Sequence, residues 1–229
     1  REDATQPWKS VGSESAVSCF SFYANKCITT GEGGMACTND DRLAERMRIM
    51  ALHGISKDAW KRFTSEGSWY YEIVAPGFKY NLTDIASAIG LHQLKRAERF
   101  RTERENIAQQ YQRGLHGIPE VITPPSDANR IHSWHLFAVR VKQEKLSIDR
   151  AQIITRLKEA GIGTSVHWMP LHLHPYYRDF FGLTPAEFPT ATGIFGELIS
   201  LPIFPGMTES DVSHVCSTLA SIIGEHRRR

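Results

Sequence analysis

The feature that most constrains this chain is residues 19–35, where an aromatic run, one lysine and a glycine-rich turn follow in order. The aromatic run ends at Tyr23 and predicts the end of a buried strand. Lys26 comes next, and the glycine-rich turn occupies residues 31–34. Partial desolvation beside a buried strand end would favour the neutral amine of Lys26, which is the form that attacks a carbonyl.

A loop lysine is ordinarily solvated, so the neighbours of Lys26 decide how it is interpreted. Ser21 precedes Lys26 by five residues, and Asp3 lies closer to the start of the chain. A lysine amine, a hydroxyl and a carboxylate are the groups that hold pyridoxal phosphate. The amine binds it covalently, the hydroxyl donates to its phosphate, and the carboxylate keeps its pyridine nitrogen protonated.

Motifs along most of the chain resemble one family. They are Glu2-Asp3-Ala4-Thr5-Gln6, Phe20-Ser21-Phe22 with Lys26, Gly31-Glu32-Gly33-Gly34-Met35 and Gly77-Phe78-Lys79-Tyr80-Asn81-Leu82-Thr83-Asp84-Ile85. Together they resemble the DegT/StrS group of nucleotide-sugar aminotransferases, which are fold-type-I pyridoxal phosphate enzymes. The resemblance extends from residue 2 to about residue 207. Residues 80–85, 107–111 and 161–164 look most like the subgroup of UDP-4-amino-4-deoxy-L-arabinose–oxoglutarate aminotransferases.

The resemblance implies an α/β fold of two domains. Residues 1–116 would form the C-terminal part of the large cofactor-binding domain, including a bridging helix, and residues 117–229 a smaller C-terminal α/β domain. In the family a substantial segment precedes the aspartate that matches Asp3. We therefore expect an N-terminal part before this sequence, which would carry the backbone amides that bind the cofactor phosphate and the ring that stacks on the pyridine.

The resemblance also implies the roles of individual residues. Lys26 is the expected catalytic residue, and the family places His167 where it would touch the substrate. Asn81 matches an asparagine that reaches the cofactor phosphate of the other subunit, so we expect a homodimer with shared active sites. The expected pyridoxal phosphate ligands are Asp3, Gln6, Ser21, Lys26 and Asn81.

The function that follows is transfer of an amino group from L-glutamate, which becomes 2-oxoglutarate, to a keto group of a nucleotide-linked sugar. Such a reaction would serve biosynthesis of a cell-surface polysaccharide or lipopolysaccharide. One alternative is a pyridoxal phosphate-dependent sugar dehydratase, although the related dehydratases have histidine where this chain has Lys26. Another is a non-catalytic sensor that keeps the fold, against which the intact Asp3, Ser21 and Lys26 argue.

Bulk properties exclude several other classes of protein. The net charge of +2 does not favour a nucleic-acid or membrane-surface partner, and no apolar run is long enough to span a bilayer. The four cysteines lack metal-binding spacing, which favours a reduced, cytoplasmic protein. The irregular spacing of His167, His172 and His174 around a proline disfavours zinc, so we expect no metal.

Periodicity and capping residues predict the remaining elements. Predicted helices cover residues 41–52 after Asn39 or Asp40, a stretch beginning at Thr83, residues 98–115, residues 150–160 after Ser147, and a final helix after Thr208. Predicted strands cover residues 17–23, 35–38, 134–141 and 162–168, with short helical pieces in 175–200. The aromatic-rich segment 55–80 has no clear period, and either a functional loop or simple anchoring explains it equally well.

Overall fold

A computed structural model describes residues 7–56 and 70–228, so residues 1–6, 57–69 and 229 lie outside the described part. The contacts divide the chain into two compact units, Arg1–Ala97 and Glu98–Arg229. Each unit combines α-helices with a small antiparallel sheet. The division falls at the start of the helix predicted to bridge the domains, and the domain boundary after residue 116 stays a prediction.

In the first unit, β1 (Ser18–Ser21) pairs antiparallel with β2 (Gly34–Cys37). Two helices follow, α1 (Asp41–Ala51) and α2 (Asp84–Lys95). Asp40 caps α1 by accepting hydrogen bonds from backbone N–H groups of its first turn. Thr83 caps α2 by accepting from the N–H of Ala86. Both caps agree with the sequence prediction, because a capping side chain bonds only a few residues along the chain.

The prediction that the first strand is buried is wrong for the part of the chain that the structure describes, and the second strand is exposed as well. Phe20 is 47% exposed and Met35 is 49% exposed. The buried hydrophobic side chains of the described residues begin at Ile107, within the second unit. The apolar residues of β1 and β2 have the composition of a buried strand, but no second apolar layer covers them among the described residues.

The end of α1 is joined to the segment before α2 by close backbone contacts. Gly54 has a φ of +69°, and a Cβ there would lie 1.8 Å from the carbonyl oxygen of Ala75. A Cβ on Gly77 would lie 2.0 Å from the Gly54 nitrogen. The N–H of Val74 donates to the Gly54 carbonyl at 2.8 Å. Since only glycine tolerates both contacts, this pair determines how the chain approaches the start of α2.

The second unit consists of helices around a three-stranded sheet. Its elements are α3 (Ala97–Gly114), β3 (Val121–Ile122), β4 (Phe137–Val141), α4 (Arg150–Glu159), α5 (Pro175–Phe181), α6 (Pro189–Glu197), β5 (Leu198–Leu201) and α7 (Glu209–Glu225). The strand order is β3-β4-β5, and both pairings are antiparallel. In the β4–β5 register, Phe137 lies opposite Leu201 and Val139 opposite Ile199.

The core of the second unit lies between this sheet and the helices. Phe137, Val139 and Val141 alternate along β4 and are completely buried, as the period of two predicts. Tyr111 of α3 is also buried, and its ring centroid lies 4.9 Å from that of Phe137. The Tyr111 hydroxyl donates to the carbonyl of Pro202 at 2.8 Å, so its polar end is satisfied inside the core.

Three details of the second unit differ from the sequence prediction. Asp149, not Ser147, caps α4, and it forms a reciprocal capping box with Gln152. Residues 162–168 do not form a full strand; Ser165 makes an isolated bridge to Ser200 instead. Strand β5 occupies residues where only helical pieces were predicted. An apolar run this short does not distinguish a buried strand from a helical segment, which explains the last difference.

Glu120 and Arg227 form a paired contact near the end of the second unit. Arg227 Nε and Nη2 each donate to a carboxylate oxygen of Glu120 at 2.9 Å. Glu120 is only 3% exposed. The hydrogen-bonded guanidinium of Arg227 lowers the pKa of the Glu120 carboxyl, because it stabilises the ionised form. The contact therefore links the C-terminal residues to the loop before β3.

This pair should make stability depend on pH. The folded pKa of Glu120 lies below its unfolded value, so the stabilisation is complete above the unfolded pKa and is lost as the pH falls through the folded pKa. Arg227→Met should lower the Tm at pH 7 by about 2–4 °C and flatten the Tm profile below pH 5. The control is Arg228→Met at an exposed position. Wild-type and Arg227→Met profiles that run parallel would contradict the prediction.

Candidate active site

Lys26 lies in the loop of residues 22–30, here called the lysine loop, which connects β1 toward β2. At its base, the N–H of Phe22 donates to the carbonyl of Gly33 at 2.9 Å, and the Phe22 carbonyl accepts from the N–H of Thr30 at 3.0 Å. The Thr29 hydroxyl donates to the same carbonyl at 3.0 Å. These hydrogen bonds continue the strand pairing past β1 and hold the two ends of the loop together.

Within the loop, Ser21 and Lys26 are connected by local hydrogen bonds. The N–H of Lys26 donates to the carbonyl of Tyr23 at 3.0 Å, and the N–H of Tyr23 lies 3.4 Å from Ser21 Oγ. Ser21 is exposed and Lys26 is half-buried. The structure therefore brings the predicted hydroxyl and the predicted amine onto one turn. The burial is less than predicted, because β1 itself is exposed.

The Lys26 amine makes no ion pair and no hydrogen bond with any residue in 7–56 or 70–228. Because no described residue pairs with the Lys26 amine, the amine is available to bind a cofactor. The amine and hydroxyl thus fit two of the three groups that pyridoxal phosphate requires. Asp3, the predicted partner of the pyridine nitrogen, and Gln6 lie outside the described residues.

The glycine-rich turn has a steric reason for its composition. A Cβ on Gly33 would lie 2.5 Å from Thr30 Oγ1 and 2.8 Å from Leu82 Cδ1. Thr30 Oγ1 in turn donates to the carbonyl of Glu32 at 2.6 Å. Glycine at this position lets the turn lie directly against the lysine loop and the segment before α2. The turn is therefore a close backbone contact, as the sequence predicts.

Asn81 lies two residues before the helix cap Thr83 and is exposed. It lines a cleft of about 530 Å³ together with the glycine-rich turn and the first turn of α2. A helix N-terminus presents unpaired N–H groups and a positive dipole end, which suit an anion such as a phosphate. The position of Asn81 is compatible with the predicted phosphate contact, which stays a prediction.

His167 belongs to the second unit, where β5 holds it in place. His167 Nδ1 lies 2.8 Å from Ser200 Oγ, and Ser200 is buried on β5. The isolated bridge between Ser165 and Ser200 fixes the backbone leading to the histidine. Lys26, Ser21 and Asn81 belong to the first unit. A common active site that includes His167 therefore stays a prediction.

The other histidines near His167 make hydrogen-bond and ring contacts within the described residues of the second unit. His172 is buried; its Nε2 lies 2.8 Å from Thr192 Oγ1, and its ring stacks on Phe188. No cluster of histidine, cysteine and carboxylate side chains in the described part of the chain could hold a metal ion. In the same residues, no helix is both long and apolar enough to cross a membrane.

Sequence reasoning missed the polar groups that support the lysine loop. Thr29 and Thr30 hold its base, and Gln93 of α2 accepts a hydrogen bond from the N–H of Thr29 at 3.3 Å. The adjacent threonines beside a glycine turn were a local signal of side-chain hydrogen bonding to the backbone. No local pattern indicates Gln93, because the contact joins residues 64 positions apart.

Comparison with known proteins agrees with the motifs. Spore coat polysaccharide biosynthesis protein SpsC of Bacillus subtilis is 44% identical over 220 residues, which cover 96% of this chain and 57% of SpsC. The PMP form of Spr1654 from Streptococcus pneumoniae superposes with a TM-score of 0.85 at 32% identity, covering 94% of this chain and 55% of that one.

Helicobacter pylori PseC, an aminotransferase involved in the biosynthesis of pseudoaminic acid, superposes with a TM-score of 0.80 at 28% identity. The match covers 92% of this chain and 54% of PseC. The chain thus spans about half the length of the relatives it matches.

These likenesses confirm the predicted α/β, fold-type-I class, whose members use pyridoxal phosphate. The family profile matches residues 3–220, nearly the whole sequence. The chain belongs to the DegT/DnrJ/EryC1/StrS aminotransferase family.

Proposed function

We propose that this protein is a pyridoxal phosphate-dependent aminotransferase that moves an amino group from L-glutamate to a keto group of a nucleotide-linked sugar. The observation that carries the proposal is the closed lysine loop, in which the Lys26 amine has no partner among the described residues and Lys26 shares a turn with the Ser21 hydroxyl. Family membership supports the reaction class. The name of SpsC supports a role in polysaccharide biosynthesis. The proposed product is a cell-surface polysaccharide or lipopolysaccharide.

Bound pyridoxal phosphate supplies the electron sink for this chemistry. Lys26 Nζ would hold the cofactor covalently until the amino donor takes its place. The neutral Lys26 amine would then be the general base that moves the proton between the α-carbon of glutamate and the C4′ carbon of the cofactor. A lysine without an ion pair suits this role, since its amine has no competing partner among the described residues.

The other predicted residues bind and orient. The Ser21 hydroxyl, which accepts weakly from a backbone N–H, still has a proton to donate to the cofactor phosphate. Asp3 would hold the proton on the pyridine nitrogen, and Gln6, three residues further along the chain, would be a second cofactor ligand from this segment. His167, whose Nδ1 lies 2.8 Å from Ser200 Oγ, would contact the substrate. We propose these roles from the family resemblance together with the side chains' chemistry.

The finer substrate proposal is a UDP-linked 4-keto sugar of the L-arabinose type, with 2-acetamido-4-keto-6-deoxy sugars and dTDP-linked keto-sugars as the alternatives. It rests on the similarity of residues 80–85, 107–111 and 161–164 to the subgroup of UDP-4-amino-4-deoxy-L-arabinose–oxoglutarate aminotransferases. Sugar dehydration is disfavoured because Lys26 stands where the related dehydratases have histidine. A panel of nucleotide keto-sugars assayed with L-glutamate identifies the substrate. We propose a cytoplasmic location, where such precursors and a reduced thiol pool occur together.

We also propose that the protein is a homodimer whose active sites are shared between subunits. Asn81 lies next to an apolar face of α2, on which Ile85 is 78% exposed and Ile89 is 46% exposed. Apolar side chains exposed to this extent favour burial in an interface. In a twofold dimer, each Asn81 would serve the cofactor phosphate of the other subunit.

Replacement of Lys26 tests the reaction directly. Lys26→Ala should abolish the covalent cofactor adduct and lower kcat by at least about 100-fold, because both the covalent link and the general base are lost. The adduct is trapped with borohydride and located by peptide mass. Lys95→Ala, at an exposed lysine of α2, is the matched control and should behave as wild type. Turnover by Lys26→Ala at the wild-type rate would exclude the mechanism.

Replacement of Ser21 tests the phosphate contact. Ser21→Ala should weaken cofactor binding by about 10–100-fold, as expected for loss of one hydrogen bond to a charged group, while the adduct at Lys26 still forms at saturating cofactor. The measurement is cofactor titration of the apoprotein. Ser13→Ala, at an exposed serine elsewhere in the first unit, serves as the control. Equal cofactor affinities for Ser21→Ala and wild type would remove Ser21 from the site.

Subunit exchange tests the shared site. Lys26→Ala and Asn81→Ala are each expected to be inactive, but a mixed dimer would contain one site with both changes and one site with neither. Activity should therefore return after the two proteins are mixed and exchange is verified with differently tagged subunits. Persistent inactivity despite proven exchange would show that Asn81 does not serve the partner's site.

A further inference from the structure

The lysine loop is hydrogen-bonded to α2 through the side chain of Gln93. Gln93 Oε1 accepts from the N–H of Thr29 at 3.3 Å. The Thr29 hydroxyl donates to the carbonyl of Phe22 at 3.0 Å and accepts from the N–H of Gly31 at 2.9 Å. The backbone N–H of Thr29 therefore bonds to α2, and the side chain of Thr29 bonds to the base of the loop.

A close approach of α2 to the loop accompanies this hydrogen bond. A Cβ on Gly90 would lie 3.1 Å from Thr30 Cγ2, so the helix backbone is near the loop at this point. Gly90 and Gln93 are three residues apart and share one face of the helix. The two consecutive threonines thus contact two consecutive turns of α2, one by packing and one by a hydrogen bond.

The surroundings of this contact strengthen it. Gln93, Thr29 and Thr30 line a cavity of about 220 Å³ whose other walls are mainly apolar. The apolar walls are formed by Phe22, Ile28, Met35, Leu82, Gly90, Leu91 and Leu94. A hydrogen bond in a less polar environment is electrostatically stronger than one in water, and an amide left unpaired there is costly. The hydrogen bond from the Thr29 N–H to Gln93 should therefore help to hold the lysine loop in place.

We propose that Gln93 is a positioning residue for Lys26, an inference that rests on the proposed function of Lys26. The hydrogen bonds at Phe22 close the loop, and the Gln93 contact holds the closed loop against α2. Thr29 is three residues from Lys26, so a change at its amide alters the direction of the segment that carries the lysine. Because α2 begins just after Asn81, the same helix connects the lysine loop to the proposed phosphate contact.

Three variants separate this role from general stability. Gln93→Leu removes the acceptor at nearly constant size, Gln93→Glu keeps an acceptor oxygen, and Lys95→Leu changes an exposed residue of the same helix. Should Gln93→Leu fail to fold, Gln93→Asn replaces it, since its amide is one methylene shorter. The full chain is used, and Tm is measured for each variant so that local effects are not confused with unfolding.

The first measurement is hydrogen exchange of the Thr29 amide without cofactor. Exchange should be about fivefold faster in Gln93→Leu, as expected for loss of one hydrogen bond, and close to wild type in Gln93→Glu and Lys95→Leu. The second is the rate at which pyridoxal phosphate forms a borohydride-trapped adduct at Lys26. This rate should fall several-fold in Gln93→Leu and recover in Gln93→Glu.

The outcomes distinguish the two proposals. No adduct at Lys26 in the wild type would overturn the proposed function, whatever Gln93 does. Unchanged exchange of the Thr29 amide in Gln93→Leu, or exchange equally fast in Gln93→Glu, would overturn the hydrogen-bonding role of Gln93. Faster exchange with an unchanged adduct rate would show that the contact exists but does not position Lys26, and this too would overturn the inference.

Discussion

The hydrogen bonds of the backbone N–H and carbonyl of Phe22 are the constraint on which the candidate active site depends. The Phe22 N–H donates to the carbonyl of Gly33. The Phe22 carbonyl accepts from the N–H of Thr30 and from the Thr29 hydroxyl. A carbonyl oxygen has two lone pairs, so both contacts are satisfied together. The loop that carries Lys26 is thereby closed at its base. Lys26 acquires a defined position although it lies outside any strand or helix.

The two units contribute differently to the molecule. The second unit contains the buried core, to which β4, α3 and α7 contribute buried side chains. It also positions His167 through a contact with Ser200 of β5. The described part of the first unit exposes apolar residues of β1, β2 and α2 and derives its order chiefly from backbone hydrogen bonds and close glycine contacts. Exposed apolar residues beside Asn81 make this unit the place where a partner surface is expected.

Helix ends could be predicted from sequence where the capping contact is local. Asp40, Thr83 and Thr208 cap α1, α2 and α7 as expected, since each side chain bonds an N–H within three residues. Choosing between Ser147 and Asp149 for α4 depended on where the first helical turn begins, and two suitable caps lay close together. The strands were harder to predict from sequence, because β3 and the bridge at Ser165 form only by pairing with residues distant in sequence.

The sequence by itself indicated the family, through motifs found between residue 2 and about residue 207, and the family profile then matched residues 3–220. The sequence also singled out Lys26 and Ser21 by residue type and spacing. Only the tertiary structure decided that β1 is exposed, that His172 is buried, and that Gln93 reaches Thr29 across 64 residues. The physical reason is the range of the interactions. Residue type and short spacing can be read directly from the sequence, whereas burial and long-range hydrogen bonds depend on which segments come into contact after folding.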